Sequence, residues 1–206
     1  MSTTTSLARR ERAELADLLD ELGPDAPTCC EGWDTAHLAA HLVVRERRPD
    51  AMVGFSVERL TPLRPLARWS HHLEDRLRTS TPYARVVERV RSGPPRWSPL
   101  SVPAVDSAVN ATEYVIHHED VRRAQPGWAP RALPHRVQDS LWTAAVLFAR
   151  PAAATRPGSL VLRRSDVTGV EKRLGSADPV TTVTGEPLEL LLWVSGREDV
   201  ARVQVA

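Results

Sequence analysis

The texture of the chain changes once, and that change limits the folds open to it. As far as Arg150 the apolar residues recur at steps of three and four, the helical period; beyond it they fall into short β-type runs separated by Asp, Gly and Ser. The segment PAAATRPG (151–158) marks the change and reads as a linker. The spacing therefore predicts an α+β chain, with a helical bundle over 1–150 and a small α+β domain over 151–206. The second part is too short for a generous core of its own and is expected to pack on the bundle.

Within the first part, LARRERAELADLLDEL (Leu7–Leu22) has helical spacing and is stopped by Gly23-Pro24. A second helix is expected to start at Asp34, a good N-cap, and to run until Pro49 stops it. Prolines break up residues 50–100, where helices over Leu66–Arg78 and Pro82–Arg91 are expected. A long helix from Pro103 to Ala124 and another over Leu133–Arg150 follow. In the second part, SLVLRR, VEKRLG, VTTVTG and the terminal ARVQVA read as strands, and Pro187–Ser195 as a helix.

Polar rows carry the chemistry. On the long helix, Val102, Val105, Val109, Thr112 and Ile116 form a mostly apolar stripe, and one position later run Asp106, Asn110, Glu113, His117 and Asp120. Adjacent helical residues differ by about 100°, so this polar row flanks the buried face. On the second helix, Asp34, His37, His41, Arg45 and Arg48 flank Leu38 and Leu42 in the same way. Glu113 and His117, four apart, project side by side, and His41 meets them if the two helices face each other.

Imidazole nitrogen and carboxylate oxygen suit zinc, and also iron, nickel or manganese; three protein ligands leave a coordination position for water or substrate. Asp120 is placed to accept the other N–H of His117, with Asn110 in a similar supporting role. His37 is a rival or additional ligand. His118 and Glu119 lie off the polar row, and His71 and His72 sit among charged residues; both pairs read as solvated faces. Cys29 and Cys30, adjacent and so ill suited to bond each other, read as inert thiols. Trp33, just before the N-cap, and Trp142, in an apolar helix, read as packing residues.

Three stretches carry a resemblance. Gly32-Trp33-Asp34-Thr35-Ala36-His37-Leu38-Ala39-Ala40-His41-Leu42 resembles the first motif of the DinB-like bundle of mycothiol-dependent maleylpyruvate isomerases. Glu113-Tyr114-Val115-Ile116-His117-His118-Glu119-Asp120-Val121 resembles the family's Glu–His–Asp motif, and Glu189–Arg197, with Trp193, its C-terminal helix. The resemblance implies a DinB-like four-helix bundle with a C-terminal α+β domain, and zinc held by His41, Glu113 and His117. It also implies mycothiol, a small-molecule thiol, as cosubstrate. Arg197, and Arg45 beside it in role, are the candidates for clamping a carboxylate or cofactor; the alternative for Arg197 is a partner for its helix C-terminus. His37 stands where the family has an acidic or polar residue.

The composition narrows the partners. Lys and Arg total 27 against 26 Asp and Glu, a net charge of +1, so no global charge favours nucleic acid or anionic lipid. No basic stripe accompanies the tryptophans, which argues against base stacking. No apolar stretch spans a bilayer and the N-terminus lacks a secretory apolar region, so a cytoplasmic protein is expected. Three functions compete. The first is a thiol transferase or isomerase acting on a small electrophile. The second is a metal-assisted hydrolase with Glu119 or His118 as base, and the third a non-catalytic metal-binding module.

Overall fold

A computed structural model describes residues 6–48, 64–102 and 110–206. The chain forms two compact units, Met1–Trp128 and Ala129–Ala206. In the first lie α1 (Leu7–Leu22), α2 (Thr35–Arg47), α3 (Arg64–Ser80), α4 (Tyr83–Ser92) and α5 (Ala111–Arg123), with a 3-10 turn at Pro99–Ser101. The second contains α6 (His135–Ala154), β1 (Ser159–Arg164), β2 (Glu171–Leu174), β3 (Val180–Gly185), α7 (Pro187–Val194) and β4 (Gln204–Val205). The α+β class, helices first, is as the periodicity predicts.

Local chemistry sets the helix ends. The Asp34 side chain accepts the His37 N–H at 2.8 Å and starts α2; Ser6 accepts the Arg9 N–H at 3.3 Å and starts α1. In the first unit, Leu15 and Leu19 of α1, Leu38 and Leu42 of α2, Val86, Val87 and Val90 of α4, and Tyr114 and Val121 of α5 share one buried core. Truncating one of these leucines to alanine costs about 2–5 kcal/mol. The main packing partner of α5 is α1, while α2 packs on α3 and α4. Thus α2 and α5 are joined mainly through side chains, which leaves space between their backbones.

In the second unit the sheet order is β2-β1-β3-β4, with β1 parallel to β3 and both outer pairs antiparallel. The central strand β1 buries Leu160 and Leu162, and α7 contributes Leu188, Leu190, Leu191 and Leu192. Gly158 enters β1 with φ +82°; a Cβ there would fall 1.8 Å from the Pro179 carbonyl oxygen, so no larger residue fits.

Four expectations need correction. The helix expected to close the bundle, α6, packs on α7 within the second unit, so the units divide at Trp128 and not at Arg150. It also continues through Pro151 to Ala154, which removes most of the expected linker. Pro151 is tolerated near this C-terminal end, where few turns follow it. The apolar stripe does not extend back to Val102, which lies outside the helix and is 50% exposed. Val105, Asp106 and Val109 lie outside the described residues. Trp142 is partly exposed, not core.

Candidate metal centre

The helix α5 is buried on nearly every side, from Tyr114 to Val121 without a break. A helix enclosed in this way must pair each of its polar side chains internally, and its partners define the centre.

Glu113 and His117 project from adjacent turns of α5 toward α2. His117 Nε2 lies 3.3 Å from Glu113 Oε1, and His41 Nε2 of α2 lies 3.4 Å from the same oxygen. The two imidazole rings are 5.3 Å apart, and the three donor atoms lie within 4.8 Å of one another. Both histidines are at most 8% exposed. Trp33, packed on the core, tilts against His41 at 5.1 Å.

Each imidazole is held from behind by a carboxylate. His41 Nδ1 is 2.7 Å from Glu74 Oε1 of α3, and His117 Nδ1 is 2.9 Å from Asp120 Oδ2. A carboxylate only accepts, so each Nδ1 carries the hydrogen. In a neutral ring this leaves a lone pair on Nε2, and both lone pairs face the same Glu113 oxygen. A single proton bridges one Nε2 to Glu113 and leaves the other lone pair facing an acceptor. One divalent cation satisfies all three. Metal–N bonds of about 2.0–2.1 Å and metal–O bonds of about 2.0–2.2 Å at a tetrahedral angle give donor separations of about 3.3 Å. The 3.4 and 3.3 Å separations in the centre match that figure.

The electrostatics agree. Burial works against the charged form of Glu113, but His117, His41 and the nearby Arg45 outweigh it and hold the carboxyl well below its usual range. Burial also opposes a charged His117, yet Asp120, Cys30 and Glu113 hold that imidazole well above its ordinary value. The metal-free centre thus favours positive charge beside Glu113, held as a proton on His117 that a bound cation would have to displace.

The other expected site residues are distributed as follows. Arg45 lies 3.3 Å from Glu113 and donates to Asn110 Oδ1 at 2.9 Å; Asn110 donates onward to the Leu100 carbonyl at 2.9 Å. Asn110 therefore supports Arg45 and, through it, Glu113. His37 bonds the Asp34 carboxylate at 2.7 Å and does not join the three donors. Arg197, in the second unit, donates to the Ser195 carbonyl at 2.8 Å, at the C-terminal end of α7. His118 and Glu119 are not solvated: His118 meets Glu11 of α1 at 2.9 Å, and Glu119 is held by Arg122 and Arg123 at 2.8 and 2.6 Å. His72 is exposed as expected, while His71 bonds the second oxygen of Glu74 at 3.2 Å.

Two residues of the centre escaped the sequence reading. Glu74 follows Leu73 and precedes Leu77 on α3, the same one-residue offset from an apolar row that singles out Glu113 and His117. Cys30 places its thiol 3.2 Å from Asp120 Oδ2 and 3.9 Å from His117 Nδ1; no local spacing announces this, because a loop delivers it.

No protein-family model matches the sequence, and no curated protein does. Solved structures do. The crystal structure of the mycothiol-dependent maleylpyruvate isomerase matches over 97% of this chain and 90% of its own, with a TM-score of 0.58 and 16% identity. A point-mutant structure of that isomerase matches with the same coverage and TM-score at 17% identity. From its helical first unit to its four-stranded sheet, the chain has the fold of the mycothiol-dependent maleylpyruvate isomerase.

Proposed function

We propose that the chain is a metal-dependent, thiol-using transferase or isomerase of the cytoplasm, with zinc as the metal and mycothiol as the thiol. The observation that carries this reading is the convergence of two imidazole lone pairs and one carboxylate oxygen on a single point, which one cation satisfies and one proton does not. The choice of mycothiol rests on the shared fold and on the three motifs.

His41, Glu113 and His117 are the ligands in this reading. A divalent cation there lowers the pKa of a thiol, so that it is a nucleophile toward an electrophilic carbon at neutral pH. Glu74 and Asp120 fix the Nδ1–H tautomers and aim both Nε2 atoms inward. Arg45, anchored by Asn110, balances the Glu113 charge and offers a guanidinium to an anionic substrate or cofactor. Trp33 shields the His41 side from water. The hydrolytic alternative is less well supported, because His118 and Glu119 are engaged away from the three donors.

The test is metal analysis of the purified chain, followed by calorimetric titration with mycothiol before and after chelation. We expect about one equivalent of divalent metal and thiol binding that chelation removes, with maleylpyruvate isomerised and the thiol recovered if the chain is an isomerase, or thiol consumed stoichiometrically with a small electrophile if it is a transferase. A metal-loaded chain that binds no thiol would leave a structural metal site and overturn the enzymatic reading.

A further inference from the structure

Each carboxylate that holds an imidazole of the centre has a second side-chain donor. Asp120 takes the Cys30 thiol, from the loop before α2. Glu74 takes another imidazole. His41 Nδ1 lies 2.7 Å from Glu74 Oε1, and His71, three residues earlier on α3, places its own Nδ1 3.2 Å from Oε2. Among the described residues these two rings are the side-chain partners of Glu74, and no arginine pairs with it. The carboxylate is buried, so each of its oxygens needs a donor.

Water is the competing donor. Glu74 and His71 both line a cavity of about 250 Å³, together with Trp33, His37, Asp75 and Arg78. The last bond of a glutamate side chain turns easily, because its rotamer wells are broad. Without His71, Oε2 is left facing this cavity, and turning toward water there carries Oε1 off His41. With His71 in place both oxygens are pinned. The neighbouring His72 has no such contact: its ring lies beside Trp69 at 6.3 Å.

We infer that His71 is a positioning residue for the metal centre, acting through the second oxygen of Glu74 to keep His41 Nε2 aimed at the ion. This role rests on the proposal that His41, Glu113 and His117 are the ligands. It is tested on the full chain by measuring metal affinity in competition with a chromophoric chelator. His71→Ala should weaken binding about three- to tenfold, less than substitution of Glu74 itself, because it acts one contact further out. His71→Asn, whose amide donates from near the place of Nδ1, should recover affinity to within about twofold. In a Glu74→Ala background His71→Ala should change nothing further, since the group through which it acts is gone. His72→Ala should behave as the unsubstituted chain. The visible spectrum of the cobalt-loaded chain gives a second readout, which should shift in His71→Ala and return in His71→Asn. An unsubstituted chain that binds no metal would remove the ligand assignment and this role with it. Normal metal binding by both the unsubstituted chain and His71→Ala would overturn the role of His71 alone. So would an equal loss from His71→Ala with and without Glu74, which marks a general effect on the helix.

Discussion

His117 and His118 are neighbours on one helix, both buried, and each has Nδ1 at 2.9 Å from a carboxylate. Their surroundings nevertheless differ in kind. The carboxylate of His118 is Glu11, which Arg10 approaches at 3.3 Å; Arg10 also reaches Glu14, the third member of that cluster, at 3.8 Å. There, as with Arg45 beside Glu113, an arginine stands next to the acid, but only one imidazole is present. Around His117 a second imidazole arrives from α2, and its lone pair converges with that of His117 on one oxygen. A histidine–carboxylate pair is thus no mark of a metal centre by itself. The mark is the second imidazole, which turns an ion pair into a set of acceptors.

The contrast can be broken most directly at its centre. His117→Ala should abolish stoichiometric metal binding while far-UV circular dichroism shows the helices intact; metal retained at full occupancy after dialysis would defeat the assignment. His118→Ala should keep its metal. Its effect belongs to stability, about 1–3 kcal/mol lost in denaturant unfolding, because Glu11, fully buried, loses a hydrogen-bond partner.

Substitutions behind the rings sharpen the comparison. Glu74→Gln and Asp120→Asn leave the three donors in place but stop fixing the tautomers, so metal affinity should fall about 10–100-fold, measured by competition with a chromophoric chelator. No change in either variant would show that the rings are held by packing alone.

The smallest effect expected concerns the tyrosine that opens α4. Tyr83 donates to the Leu19 carbonyl at 2.9 Å, and burial, reinforced by Asp20 and Asp34 against a hydrogen bond with Thr35, pushes its phenol up to about 12. The unfolded chain ionises near the ordinary value of 10 while the folded chain keeps its proton. Stability from this group is therefore whole below pH 10 and lost as pH rises toward 12. Tyr83→Phe should flatten that alkaline decline, at the cost of one hydrogen bond, about 0.5–1.5 kcal/mol at neutral pH. Thermal melts across that range check it.

What could be read from the residues alone follows a physical line. The α2 N-cap at Asp34, the strands and α7 depend on neighbours in sequence, and local spacing specifies them. The pairing of Glu113 with His117 is likewise a matter of four residues on one helix. Glu74 was within reach of the same periodicity but lay in a proline-broken region where helix ends were uncertain. Cys30, and the internal pairing of His118 and Glu119, depend on which elements surround α5, and one helix's pattern does not contain that information. The boundary at Trp128 was missed for the same reason: the spacing of α6 fits a bundle helix, and only the apolar face of α7 reveals its true neighbour.

Asp120 has one more consequence. Besides anchoring His117, its backbone carbonyl accepts the Cys29 N–H at 2.9 Å, and its side chain accepts the Cys30 thiol. The turn that leads into α2 is therefore stitched to the far end of α5 by the same residue that aims the imidazole. Loosening that turn therefore frees the ring's orientation, so the turn and the imidazole are held as one mechanical piece.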